Sequence, residues 1–294
     1  MAARKAIMPA MAEFDSDAFT ADSRAAWGEA ASRYDKLSAA LFGPAAAEFM
    51  AFAGLRKGWR VLEVACGPGV ATRAAARRLG EKGSLLSTDF SPEMLAVAAT
   101  YPPEKLSAPV ERRAMDAQKL DLPDASFDAV ICQLGLMLFA RPDDALAEMR
   151  RAAKPGAPVA CLVQGRRSAM LFTALVLDAI VSRAPHLRAP KGAPTLYAFG
   201  PDGVLEEAFT RAGLTEIVTK RLTGVFRFAS PEEYWATMTE GAGRTGAMLR
   251  SLAPEVQAKV KADVLRRAAK RRVGGFVEIP YEFAMARGLA PSRR

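Results

Sequence analysis

Residues 58–72 read Gly58-Trp59-Arg60-Val61-Leu62-Glu63-Val64-Ala65-Cys66-Gly67-Pro68-Gly69-Val70-Ala71-Thr72, and the fold is decided there. The run 60–64 is short, β-branched and aliphatic and closes on small residues, while Val70 opens an Ala/Arg-rich stretch with helical spacing. The segment therefore predicts strand, tight turn, helix. Gly67 and Gly69 have no Cβ, so the turn can take dihedrals that other residues resist and a ligand can lie against main chain. The helix behind it offers free N–H groups at its N-terminus.

Two ligand classes fit such a turn. A dinucleotide fingerprint wants three glycines, and this chain supplies Gly67 and Gly69 but Thr72 in the third place. Alternatively, Glu63 at the strand end before Gly-x-Gly resembles motif I of class I S-adenosylmethionine-dependent methyltransferases. That resemblance implies a carboxylate accepting hydrogen bonds from the cationic methionine end of the cofactor, with the glycine turn making room. Ala65 stands where a first glycine is common in that family, so a slightly shifted cofactor pose is expected. The turn alone leaves both readings open, beside that of a plain strand-to-helix corner.

Downstream, Gly80 and Gly83 end the first helix and begin a strand over 84–88 that closes on Asp89. Ser91-Pro92-Glu93 then reads as an N-cap with proline in the first turn. Asp89 lies 20 residues beyond Gly69. A carboxylate at the end of the second strand of a βαβ unit is placed to accept from ribose hydroxyls, which supports a nucleoside ligand of either class.

A third strand over 109–114 runs into Met115-Asp116-Ala117-Gln118, then Leu122-Pro123-Asp124-Ala125-Ser126-Phe127-Asp128 and a fourth strand over 129–132. This order resembles the ubiquinone/menaquinone-biosynthesis type of small-molecule methyltransferase. In that family the acid matching Asp116 reads the adenine amino group and the N–H matching Ala117 meets a ring nitrogen, as suits an acceptor and a donor of those types. Gln133 and Leu134 then border the methyl donor, since ligands sit at the carboxyl edge of open α/β sheets. A helix over 142–152, Lys154-Pro155-Gly156 and a fifth strand over 157–163 complete the similarity, which spans about 58–163. The Asn/Asp-Pro-Pro-aromatic sequence of amino-type nucleic-acid methyltransferases is missing at 133–136.

Upstream, residues 1–20 show no clear periodicity and are expected to form a loose or lightly docked arm. The stretch 22–52 is Ala-rich and helical, with a break expected at Gly43-Pro44. Trp27 and Tyr34 share a helix face, either packing on the domain or covering the cofactor pocket. Past 164, a helix over 168–182 leads to a Pro/Gly-rich connection over 185–201 of the kind that forms lids. A helix over 202–212 and a strand pattern in 214–228 follow. Residues 230–272 read as a helical insertion interrupted near 241–246, and 276–284 as a last strand antiparallel to the one near 214–221.

The expected architecture is a Rossmann-like, doubly wound, seven-stranded α/β sheet, its last strand antiparallel, with a helical lid and insertions. The expected divisions are an arm and covering helices (1–57), a cofactor-binding core (58–164), a lid and substrate-pocket segment (165–200) and the C-terminal sheet with its insertion (201–294).

Bulk properties are those of a soluble globular chain of 294 residues, 50% hydrophobic and 25% charged. The net charge of +9 is scattered, and its one dense run, 265–272, follows Val256, Val260 and Val264 at helical spacing, as a solvated helix face does. Neither nucleic acid nor a membrane span is expected. Cys66, Cys132 and Cys161 have no paired spacing, and the N-terminus reads as neither secretory nor transit peptide, so the expected location is cytoplasmic.

The reading is methyl transfer from S-adenosylmethionine to a small molecule by in-line displacement. The alternatives are a non-catalytic S-adenosylmethionine-binding subunit and an NAD(P)-dependent oxidoreductase. The residues expected at the cofactor are Tyr34, Glu63, Ala65, Cys66, Gly67, Gly69, Asp89, Phe90, Met94, Met115, Asp116, Ala117, Gln133 and Leu134. Those expected at the acceptor are Trp27, Leu138, His186 and Tyr197, and His186, Tyr197 and Glu240 are equal candidates for a base. No catalytic base is assigned, and no metal is expected because no His/Cys/carboxylate cluster has ligand spacing. A serine or cysteine nucleophile lacks a histidine partner.

Overall fold

The computed structural model describes residues 14–102, 105–241 and 243–292, excepting the side chains of 240–244. In chain order its elements are α1 (Ser16–Phe52), β1 (Arg60–Val64), α2 (Val70–Leu79), β2 (Ser84–Asp89), α3 (Pro92–Ala99), β3 (Val110–Ala114), β4 (Ala129–Gln133) and α4 (Pro142–Ala152). There follow β5 (Pro158–Gln164), α5 (Leu171–Arg183), α6 (Val204–Arg211), β6 (Thr215–Phe228), α7 (Pro231–Gly241), α8 (Gly243–Arg250), α9 (Pro254–Ala269), β7 (Arg272–Val273) and β8 (Phe276–Leu289).

The strands form one sheet in the order β3-β2-β1-β4-β5-β8-β6. The first five are parallel, and β8 runs antiparallel to both β5 and β6. This is the expected seven-stranded sheet with its reversed last strand, to which the two-residue β7 adds a hairpin on β8. β1, β2, β4 and β5 are buried on both faces, hence the apolar runs of β4 and β5, while β1 and β2 also bury Glu63, Ser87, Thr88 and Asp89. One core cluster packs α1, α2, α5, α7 and α9 on one face, and the other packs α4 and α6 on the opposite face. Strand order reverses between β1 and β4, the crevice where ligands of such sheets bind.

Two of the motif segments brace the sheet at the end away from that crevice. Asp128 accepts from the Arg60 N–H at 2.8 Å and from Lys154 Nζ at 2.6 Å, tying the start of β1 to the loop before β5. These contacts hold the carboxyl of Asp128 below its ordinary range, against a desolvation penalty that pushes the other way.

Two expectations are corrected at the N-terminus. α1 is one continuous helix through Pro44, and it begins at Ser16, capped by Asp15, whose carboxylate accepts from the N–H of Asp17 and Ala18 at 3.0 Å each. Residues 16–20 are therefore helix, while 1–13 lie outside the described residues. Proline inside a helix removes one N–H and crowds the preceding turn. Here Phe42, Ala45, Ala46, Phe49 and Met50 on both sides of it are buried, and that packing keeps the register.

In α9 Val260, Val264 and Ala268 are buried and Arg266 is exposed, as expected of a solvated face, but Arg267 is half-buried and turns inward to the Leu175 carbonyl at 3.3 Å. Among the described residues no helix is long and apolar enough to cross a membrane, and no group of three or more His, Cys, Asp or Glu could hold a metal.

Candidate functional site

Two cavities open at the carboxyl edge of the sheet, and Trp27, Tyr34, Phe42, Leu134 and Leu138 line both. The inner one lies between α1 and the ends of β1, β2 and β4. The outer chamber, of about 690 Å³, lies between α1, the 185–197 connection and helices α5, α7 and α8.

Backbone geometry shapes the inner cavity. Gly67 and Gly69 have φ of 52° and 88°, the left-handed region that the turn demands. Ala65 and Leu134, the residues following β1 and β4, share that region at 53° and 59°, where a side chain is strained. The preference for glycine at position 65 in the resembled family thus has a backbone cause. The Ala65 methyl points at Gly135, where an added Cβ would lie 2.6 Å from it.

The polar groups follow from the strand ends. Glu63 is 1% exposed; its Oε2 accepts from Thr72 Oγ1 at 2.6 Å and Ser87 Oγ at 2.7 Å, while Oε1 has no partner. Burial pushes its pKa up to about 7 against those two hydrogen bonds. Asp89 accepts from the N–H of Gly67 at 2.8 Å and of Ser91 at 3.0 Å, so it clamps the glycine turn to the end of β2. Burial raises its pKa as well. The Asp116 carboxylate is engaged by Gln118, whose amide nitrogen lies 3.0 and 3.1 Å from its two oxygens. The Tyr34 ring covers the turn, 4.0 Å from where a Cβ at Gly67 would stand, and packs edge-on against Trp27 at 5.2 Å between centroids.

Of the residues expected at the cofactor, all but Gly69 line the inner cavity. Gly69 caps α2 behind it. Trp27 and Leu138 line both cavities and Tyr197 the outer one. His186 lines neither and is exposed in the 185–187 turn, and the side chain of Glu240 lies outside the described residues. Sequence reasoning missed Thr20, Ser23 and Gln118 on the inner wall and Gln164 and Thr173 on the outer one. Positions 20, 23, 27 and 34 fall on one helix face, and that spacing could have found the first two.

Four buried side-chain atoms lack a partner among the described residues: Ser23 Oγ, Glu63 Oε1, Gln133 Oε1 and Arg112 Nε. The first three belong to residues of the inner cavity. Buried polar atoms normally find partners, so three orphans around one space mark a ligand site. Two of them are acceptors, one on a carboxylate, which suits a ligand bringing N–H donors and positive charge, as the amino-acid end of S-adenosylmethionine does.

Fold, turn and these acceptors point the same way as a family model: residues 61–156 match that of a methyltransferase domain. Among curated proteins, the ubiquinone/menaquinone biosynthesis C-methyltransferase UbiE of Burkholderia mallei is 39% identical over 128 residues, 44% of this chain and 52% of the relative. The match thus spans about half the length of that relative. Among solved structures, phosphoethanolamine N-methyltransferase 2 of Haemonchus contortus, in complex with S-adenosyl-L-methionine, is similar with a TM-score of 0.52 at 17% identity, covering 85% of this chain and 53% of that one. The [4+2]-cyclase SpnF is similar with a TM-score of 0.51 at 21% identity, covering 85% and 81%. Both show the fold.

Proposed function

We propose that the protein moves the methyl group of S-adenosylmethionine to an apolar small molecule. The observation that carries this is the joining of an inner cavity edged by orphaned acceptors to an apolar outer chamber through five shared side chains. Glu63 and Gln133 would hold the amino-acid end of the cofactor, Asp89 and Asp116 the ribose and adenine, and Tyr34 would close over the turn. When bound, the cofactor supplies a methyl on a positively charged sulfur, displaced in line. The chain's own task is alignment, and well-aligned pairs gain on the order of 7 to 11 kcal/mol from positioning. A chamber of about 690 Å³ suits a small molecule, within the roughly 300–1,000 Å³ of such sites. A cytoplasmic location belongs to the same reading and rests on Cys66, Cys132 and Cys161, all unpaired and buried.

Titration calorimetry with S-adenosylhomocysteine and with NADH tests the cofactor. Binding of NADH without S-adenosylhomocysteine would overturn the reading in favour of an oxidoreductase. Because the same fold serves a cyclase, turnover is tested separately, by mass spectrometry with S-adenosylmethionine against phenols, quinone precursors, amines and thiols. Tight cofactor binding with no acceptor methylated until a partner protein is added would identify a binding subunit instead.

A further inference from the structure

The outer chamber is walled mainly by aliphatic and aromatic side chains, among them Leu41, Phe42, Leu177, Val181, Met238 and Met248. Among its polar side chains, three from three segments form a hydrogen-bonded chain, with Gln164 and Thr173 buried and Tyr197 half-buried. Thr173 Oγ1 donates to Gln164 Oε1 at 2.8 Å and lies 2.8 Å from the Tyr197 hydroxyl. A threonine hydroxyl has one hydrogen, so if it goes to Gln164 the second contact is supplied by the Tyr197 hydrogen. The chain thus has a direction. The Tyr197 oxygen is left with lone pairs alone for the chamber, and Gln164 keeps its amide N–H groups.

The neighbouring backbone fixes this arrangement. Next to Gln164, the Gly165 N–H donates to the Glu282 carbonyl at 2.7 Å and the Arg166 N–H to Glu282 Oε1 at 2.8 Å. Gly200 closes the turn after Tyr197 by donating to its carbonyl at 2.9 Å, and it lies so near Gly165 that a Cβ there would stand 2.2 Å from the Gly165 carbonyl oxygen. The Phe172 carbonyl beside Thr173 accepts the Tyr234 hydroxyl at 2.7 Å. Gln164 also ends β5, adjacent to β4, whose following residue Leu134 lines both cavities. The chain therefore stands close to the junction where transfer would occur. Burial pushes the Tyr197 phenol up to about 12, so it stays protonated and its role is to position rather than to remove a proton.

We infer that Gln164, Thr173 and Tyr197 orient the acceptor, and that the acceptor is an apolar molecule carrying a hydroxyl that donates its hydrogen bond to the Tyr197 oxygen. This rests on the functional reading above and assigns its acceptor class. The test is the affinity of 2-naphthol, which can donate, against 2-methoxynaphthalene, which cannot, measured with and without saturating S-adenosylhomocysteine. The protein is expected to favour 2-naphthol by about 3- to 10-fold, the worth of one net hydrogen bond. Tyr197→Phe removes the acceptor and Thr173→Val frees the Tyr197 hydrogen, so each should bring the ratio to about one or below. Thr173→Ser should retain the preference, and none of the three should change S-adenosylhomocysteine affinity. Equal affinities in the unsubstituted protein, failure of both probes to bind, or a preference surviving both Tyr197→Phe and Thr173→Val would overturn the inference. Absent S-adenosylhomocysteine binding with the naphthol preference intact would strike the cofactor reading alone.

Discussion

The inner cavity is made of main-chain turns at the ends of adjacent strands, and its positions are set by backbone dihedrals and strand register. The outer chamber is made of side chains on helices and loops far apart in the sequence, and its positions are set by packing. On the inner side Ala65, Gly67 and Leu134 hold left-handed φ, where a larger side chain is strained, and a Cβ at Gly135 would lie under 3 Å from Ala65 Cβ and Cys132 Sγ. On the outer side Leu177 and Val181 stand on one helix, and a shorter side chain there enlarges the space without moving a strand. A site for one invariant ligand needs the first construction, and a chamber that can be altered for different acceptors needs the second.

Gly135→Ala is the hardest test of this contrast and the largest effect expected. Its Cβ would lie 2.6 Å from that of Ala65 and 2.8 Å from Cys132 Sγ, neither of which can swing away. Overpacking of this kind costs about 1–3 kcal/mol, to be seen as a lower melting temperature. Affinity for S-adenosylhomocysteine should fall more than about tenfold, since only about 1.4 kcal/mol of distortion is needed for that. Leu177→Ala, in the outer chamber, should leave that affinity unchanged. Similar affinities for both variants would show that the inner cavity yields as readily as the outer.

The same contrast explains what the sequence could reveal. The turn, the Asp89 offset and the Met115-Asp116-Ala117 segment were legible because each combines a local backbone requirement with a residue type, and such requirements occupy consecutive positions. The antiparallel last strand was legible from its apolar pattern, though β6 and β8 run to 14 residues each, well beyond the stretches expected to pair. The continuity of α1 through Pro44 was not, because local propensity favours a break and only the buried face of the folded helix opposes it. Nor was the Gln164–Thr173–Tyr197 chain, whose members come together through Gly165 and Gly200, residues that by sequence alone mark only turns. His186 drew notice as the single histidine, which is a property of composition and carries no geometry.

Glu63→Gln separates binding from stability within the inner cavity. The folded pKa of about 7 exceeds the ordinary 4.5, so the stabilising contribution of the protonated form is complete below about 4.5 and is lost as pH rises through 7. Ionising the buried group costs at most about 3 kcal/mol above pH 8. The glutamine variant cannot ionise and should therefore melt higher than the parent at pH 8–9, with the gain vanishing towards pH 5. Its affinity for S-adenosylhomocysteine should be about 10- to 100-fold weaker at pH 8, the worth of a hydrogen bond to a charged group. The parent should bind more tightly as pH rises from 6 to 8, releasing a proton, and the variant should show neither trend. Identical pH profiles would remove Glu63 from the ligand's ammonium group.

The smallest effect expected comes from α1, which walls both cavities. Ser23 is 5% exposed and its hydroxyl has no partner among the described residues. Removing it should cost the ligand-free protein nothing, and relieving an unpaired buried group can raise its melting temperature slightly. Binding should still weaken about 2- to 10-fold if that hydroxyl meets the cofactor. Its place along the helix indicates which end it meets. Tyr34 covers the glycine turn, while Ser16 and Asp17 are held by Arg141 at 2.8 and 2.7 Å, and the Arg141 N–H donates to Gln118, the partner of Asp116. Ser23 is 11 residues from Tyr34, about 16 Å at 1.5 Å per residue, and so nearer the Asp116 corner. Ser23→Ala should therefore weaken S-adenosylhomocysteine and 5′-methylthioadenosine by the same factor, whereas Glu63→Gln should weaken only the former. If Ser23→Ala spares 5′-methylthioadenosine, the hydroxyl serves the amino-acid end and α1 crosses the cavity in a different register.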